Sequence, residues 1–206
     1  CWLAPASGAL ATTPLIEVRA QGWAFKNIKF TPHTDSAAIR LTSSPTVDTI
    51  DASHALIEDC YFGGEGGSGQ IGVEDNQGCS FVVIRGCRFN LLTGTGILAL
   101  ATGTRVPLNN VYEDNRFSQN TNDIKMSLNY SIIQRNKFMT AGSGATNKVI
   151  STTFISAQGG NNHILLNQFT NTEAQIAPGS GYTGAASDVW MNYVTDQAAL
   201  AFGQPA

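Results

Sequence analysis

Charge is scarce in this chain: Asp, Glu, Lys and Arg make up 13% of its 206 residues, about half the usual share of a soluble domain. The 12 cationic and 15 acidic side chains sum to a net charge of −3 and form no basic block. That distribution argues against a duplex nucleic-acid partner. Long apolar runs are missing as well. The longest is Ile97 to Ala101, far short of the roughly 20 residues a membrane-spanning helix requires. The four cysteines, Cys1, Cys60, Cys79 and Cys87, show no paired short spacing, so they spell neither a zinc site nor a disulfide framework. No charged-then-apolar leader is present. The chain opens at Cys1 without a Met, which reads as a processed or shortened N-terminus.

What fills the sequence instead is Gly, Asn, Thr and Ser, beside 42% hydrophobic residues and a mean hydropathy of −0.05. Gly and Asn accept positive φ and Thr favours strands, so this mixture suits short strands joined by tight turns and disfavours helices. The length predicts one domain with a continuous core.

One phrase recurs: AFKNIKF ending at Phe30, then LIEDCYF at Phe62, VIRGCRF at Phe89, VYEDNRF at Phe117, IIQRNKF at Phe138, HILLNQF at Phe169 and DVWMNYV at Val194. Successive ends lie 32, 27, 28, 21, 31 and 25 residues apart. Extra residues therefore bulge out between phrases, as solenoid loops do. Two columns of the phrase are apolar and predicted to point inward: Phe25, Ile57, Ile84, Tyr112, Ile133, Ile164, Val189, and the terminal Phe column itself. Between them run Ile28, Cys60, Cys87, Asn115, Asn136, Asn167 and Asn192. Asn tolerates the left-handed conformation and stacked amides bond from coil to coil, so this column predicts a bend between two strands, with Asn at its left-handed residue. Cys60 and Cys87 occupy it as small buried thiols, not as a disulfide. A third strand precedes each phrase, at Ile16/Val18, Ile39/Leu41, Ile71/Val73, Ile97 and Ile124/Met126, then near Phe154 and Ile176.

Three strands per coil and about seven coils predict an all-β, right-handed parallel β-helix in one domain: an extension over 1–14, coils over 15–202 and a short tail over 203–206. On its Asn and Phe columns the sequence resembles the pectate-lyase-like right-handed β-helix superfamily, which includes bacteriophage tailspike and tail-fibre proteins. The resemblance implies the fold and leaves activity open, because this fold carries many functions.

Polysaccharide lyases of that superfamily use Arg or Lys as base with Asp residues holding calcium, and its hydrolases use paired carboxylates. The only comparable grouping is Asp48, Asp51, Glu74 and Asp75, with His54 beside it, and strand alternation sets Glu74 outward. The weight of the reading falls on these as solvated acids. The spacing of Asp-rich calcium loops is absent, so no metal and no cofactor are expected. The pairs Glu58/Asp59 and Glu113/Asp114 read as exposed turn acids.

Between bend and terminal Phe lies a column of long polar or aromatic side chains: Lys29, Tyr61, Arg88, Arg116, Lys137, Gln168 and Tyr193. Alternation sends it outward, as a cationic and aromatic stripe on a mildly acidic protein. Such a stripe protects edges in many solenoids, and it also suits sugars or a neighbouring subunit. The expected function, by composition and resemblance, is an attachment module at a virion surface, extracellular, with partners in further copies of itself as a homotrimer, in virion proteins and in surface polysaccharide. The alternative is a secreted polysaccharide lyase or hydrolase.

Overall fold

The computed structural model describes residues 1–4, 13–44, 50–64, 68–76, 78–100, 106–139, 148–152, 161–169, 176–178 and 188–194. Short strands, and no helix among the described residues, form three parallel sheets of seven, seven and eight strands. The chain visits sheets 1, 2 and 3 in turn and repeats, so each coil adds one strand to each sheet. This is a parallel β-helix.

Sheet 1 holds Ile16–Val18, Ala37–Thr42, Ile71–Asn76, Thr95–Leu100, Asn122–Met126, Lys148–Thr152 and Ile176–Pro178. Sheet 2 holds Ala24–Lys26, Leu56–Glu58, Val83–Arg85, Val111–Glu113, Ile132–Gln134, His163–Leu165 and Asp188–Trp190. Sheet 3 holds Trp2–Leu3, Lys29–Phe30, Tyr61–Gly63, Arg88–Asn90, Arg116–Ser118, Lys137–Met139, Gln168–Phe169 and Tyr193–Val194. The strand expected near Phe154 is Lys148–Thr152, in which Ile150 pairs in register with Ile124. Phe154 and the tail lie outside the described residues. Trp2–Leu3, in the predicted extension, pairs with Lys29–Phe30 and adds a strand to sheet 3.

The core follows the repeat. Phe30, Phe62, Phe89, Phe117, Phe138 and Phe169 are buried and stack face to face, centroids 4.7–5.1 Å apart. That is the strand spacing of a sheet. The rings fit because the facing wall is stripped: a Cβ on Gly72 would lie 2.6 Å from the Gly96 carbonyl oxygen and 2.7 Å from Phe89. The second column, Phe25, Ile57, Ile84, Tyr112, Ile133 and Ile164, is equally buried.

The Asn column is a hydrogen-bond ladder, but Asn is not the left-handed residue of the bend. That residue is one earlier: Asn27, Asp59, Gly86, Asp114, Arg135, Leu166 and Met191 have φ from 53° to 65°. The buried Asn follows it, and its side-chain oxygen accepts the backbone N–H of the equivalent residue in the neighbouring coil: Cys87 to Asn115, Asn115 to Asn136, Asn136 to Asn167, Asn167 to Asn192, all at 2.9 Å. The amide nitrogen donates to a core-strand carbonyl, Asn115 to Ile84 and Asn136 to Tyr112. The side chain thus satisfies two backbone groups that the corner removes from the sheets. Cys87 and Cys60 make the same donation as free thiols, to Ile57 and Phe25.

The same rule serves two further corners that the sequence reading did not separate. Before sheet 2, left-handed Phe81 and Asn109 precede Val82 and Asn110, and Asn110 accepts from Val82. After sheet 3, Leu91 and Gln119 precede Leu92 and Asn120, and Asn120 accepts from Leu92.

Candidate functional site

Of the four acids proposed from sequence, the three described ones, Asp51, Glu74 and Asp75, take different settings. Glu74 faces outward on sheet 1, as alternation predicts, and pairs in register with Arg40 on one side and Leu98 on the other. Folding brings Arg40 onto it, with Nε 2.6 Å from the carboxylate. Asp75 points the opposite way. It stands in the inward column between Leu41 and Ala99, 4% exposed, with one oxygen accepting from the Cys79 backbone N–H and the other without a partner. Burial raises its pKa to about 7. This corrects its assignment to a cleft: two residues after inward Val73, it had to face the core. Asp51 sits at the corner before sheet 2, where its oxygens accept from the Ser53 backbone N–H at 2.9 Å and from Gln21 Nε2 at 2.7 Å. Asp48 lies outside the described residues. Buried Asp75 therefore cannot flank a sugar bond together with outward Glu74.

The turn acids are engaged on the surface. Glu58 lies between Lys26 and Arg85, which hold its carboxyl below the usual range. Arg135 reaches both Glu113 and Asp114. Among the described residues no group of three or more His, Cys, Asp or Glu side chains is placed to hold a metal ion.

The outward column of sheet 3 is assembled in register: Trp2, Lys29, Tyr61, Arg88, Arg116, Lys137 and Gln168 pair strand to strand, and the backbone of Tyr193 continues the register. Trp2 is a member that repeat analysis missed, because its strand lies in no phrase. The Lys29 ammonium lies 4.9 Å from the Trp2 ring and 5.8 Å from the Tyr61 ring. The Tyr61 ring lies over Gly63, where a Cβ would come 2.5 Å from the ring. Its hydroxyl accepts from Asn90 at 3.4 Å. The Tyr193 side chain is outside the description.

Electrostatically this face differs from the other two. Of the described cations on or beside sheets 1 and 2, Arg19, Lys26, Arg40, Arg85 and Arg135 are in ion pairs and Lys125 on sheet 1 is not. Lys29, Arg88, Arg116 and Lys137 form none among the described residues. Three of these four are immediate neighbours across the strands, Arg88 beside Arg116 beside Lys137. Like charges directly opposite destabilise a sheet, so folding alone does not account for the arrangement.

No protein-family model matches the chain, and no curated protein sequence matches it. Two solved structures share its fold. The alginate lyase from Paenibacillus sp. strain FPU-7 superposes with a TM-score of 0.60 at 14% identity, over 90% of this chain and 73% of the lyase. The Streptococcus pneumoniae surface protein and adhesin PfbA superposes with a TM-score of 0.56 at 13% identity, over 90% of this chain and 56% of PfbA. At those identities the likeness carries the fold alone.

Proposed function

We propose that this parallel β-helix is an extracellular attachment module whose sheet 3 face lies along a linear anionic glycan. The observation that carries the reading is the row Arg88, Arg116, Lys137, three cations in register that have no carboxylate partner among the described residues. Strands about 4.8 Å apart repeat a positive charge at that interval. A flexible polyanion relieves the repulsion through charge-assisted hydrogen bonds, in which Arg engages a carboxylate or sulfate bidentately. Tyr61 and Trp2 extend the row with faces on which a sugar ring can stack. The role of such a module within an oligomeric particle, a homotrimer on a virion, is the assembly this reading favours. Sedimentation showing a stable monomer would count against that assembly.

The test is binding of polyuronates, sulfated glycans and neutral glucans across a salt series, with parallel assays for new reducing ends and for the ultraviolet absorbance of unsaturated sugars. Anionic chains should bind and weaken with salt. Arg88→Ala with Arg116→Ala should weaken binding by about 1–3 kcal/mol without loss of folding. Equal binding of neutral glucans would refute the reading. Turnover abolished by Glu74→Gln would replace attachment with the lyase alternative, in which outward Arg40 and Glu74 do the chemistry.

A further inference from the structure

Sheet 2 turns a different kind of surface to solvent from the other two sheets. Its outward column runs Leu56, Val83, Val111, Ile132, neighbours in register on four successive strands and all part-exposed. The matching column of sheet 1 carries Glu17, Arg40, Glu74 and Lys125 beside Leu98, and that of sheet 3 carries the cationic row. Single exposed apolar residues are ordinary, but a continuous aliphatic stripe on the outside of a solenoid marks a contact surface.

Two columns border the stripe. Two residues before it, at the corners, stand Phe81, Asn109 and Tyr130, with Phe81 49% and Tyr130 59% exposed. Two residues after it stand Arg85, Glu113 and Gln134. The stripe is thus an apolar centre with one aromatic and one charged rim, the anatomy of a protein interface.

The rims say what covers it. When a second copy lies parallel and at the same level, with the rims exchanged, Phe81 of each copy meets Arg85 of the other, Asn109 meets Glu113, and Tyr130 meets Gln134. Each pair is complementary. The Arg85 guanidinium bonds Glu58 through its N–H edge, which leaves its planar faces for an aromatic ring. Arg135 and Gln134 both bond Oε2 of Glu113, so Oε1 can take the Asn109 amide. Gln134 gives its amide nitrogen to that bond, and its oxygen can take the Tyr130 hydroxyl. A shift of one coil instead sets the Phe81 ring against the carboxylate of Glu58 or Glu113, which the negative face of the ring repels.

We propose that the outer face of sheet 2 is the surface through which copies of this chain associate, parallel and in register around an axis along the solenoid. Val83 and Val111 then pack at the axis. The sheet 3 row of each copy, on another face, stays open to glycan. The inference rests on the oligomer proposed above and adds the face that forms it.

Sedimentation and paired cysteine substitutions test it, on the intact chain with Cys1→Ser to remove the exposed thiol. Mixed Phe81→Cys and Arg85→Cys chains should link by a disulfide on mild oxidation, whereas mixed Phe81→Cys and Glu113→Cys chains should not. Phe81→Asn, which sets at this corner the residue already present one coil later at Asn109, should raise the dissociation constant about 10-fold or more. Val83→Arg should give monomers that are folded by circular dichroism, because the axis brings like charges together. If that variant fails to fold, the cysteine pairs and Phe81→Asn decide. A wild-type chain that stays monomeric would overturn this inference together with the oligomer. An oligomer indifferent to Val83→Arg and Phe81→Asn, or one that links Phe81→Cys to Glu113→Cys in place of Arg85→Cys, would overturn the inference alone.

Discussion

Raising the pH from 4.5 to 8 should destabilise this protein, through two carboxyl groups inside the solenoid. Asp75 and Asp123 are 4% and 3% exposed. Burial raises each to about 7, against an ordinary Asp value of about 3.9 in an unfolded chain. The folded state therefore holds these protons more tightly than the unfolded state does. Stability is undiminished below about pH 4, falls between about 4 and 7, and stays low above that. Three pH units at about 1.4 kcal/mol each give about 4 kcal/mol per group as an upper figure, which is large beside a typical total of about 5–15 kcal/mol. Glu17 and Glu58 have the opposite sign, because Arg19 lowers the one and Lys26 with Arg85 lowers the other. Their contribution is present above the ordinary carboxylate range and is lost below it, outside this window, and exposed pairs contribute little. The buried pair wins. The assay is the urea midpoint as a function of pH, at constant denaturant slope. The double variant Asp75→Asn, Asp123→Asn keeps the acceptors that Cys79 and Asn120 use and removes the charge, so its profile should be nearly flat. A wild-type profile that is level or rising over this range, or a slope that survives in the double variant, would refute the reasoning.

Phe117→Ala removes a fully buried ring stacked between Phe89 and Phe138, both 4.9 Å away. It should lower unfolding free energy by about 3–5 kcal/mol in denaturant titration, and a shift within half a kcal/mol would mean that the stack contributes nothing. Asn136→Ala strands the Asn115 backbone N–H and the Tyr112 carbonyl. At about 1–3 kcal/mol per orphaned group, it should destabilise by about 2–6 kcal/mol, with hydrogen exchange accelerating first at Asn115. Gly72→Ala places a methyl against Phe89 and the Gly96 carbonyl and should cost about 1–3 kcal/mol by thermal melt, although Ala is nominally the better-ordered residue.

Much of this molecule was legible because the repeat is a physical constraint written seven times. Each coil must place an apolar residue at the same two positions to fill a continuous core, so the Phe and Ile columns and their register could be read directly, as could the outward direction of Glu74 and of the Lys29 to Gln168 row. Asp75 was also within reach, since it lies two residues after inward Val73. Its acidic chemistry suggested a cleft, whereas the pleat decided its face. Trp2 was not legible, because a two-residue strand has no periodicity and is defined only by its partner at Lys29.

The amino-acid order alone determined which residues share a column, since period and pleat are local properties. Tertiary structure decided what stands beside each column. Neighbouring coils are separated by 21 to 32 residues of chain and only about 4.8 Å of space. That proximity sets Arg40 on Glu74, lines up Arg88, Arg116 and Lys137 with no acid paired to them among the described residues, and brings His54 and Phe81 into one stack. The left-handed residue of each corner was likewise decided by closure of the coil. The Asn side chain is needed one residue later, where it accepts the N–H of the neighbouring coil, so the strain falls on the exposed residue before it.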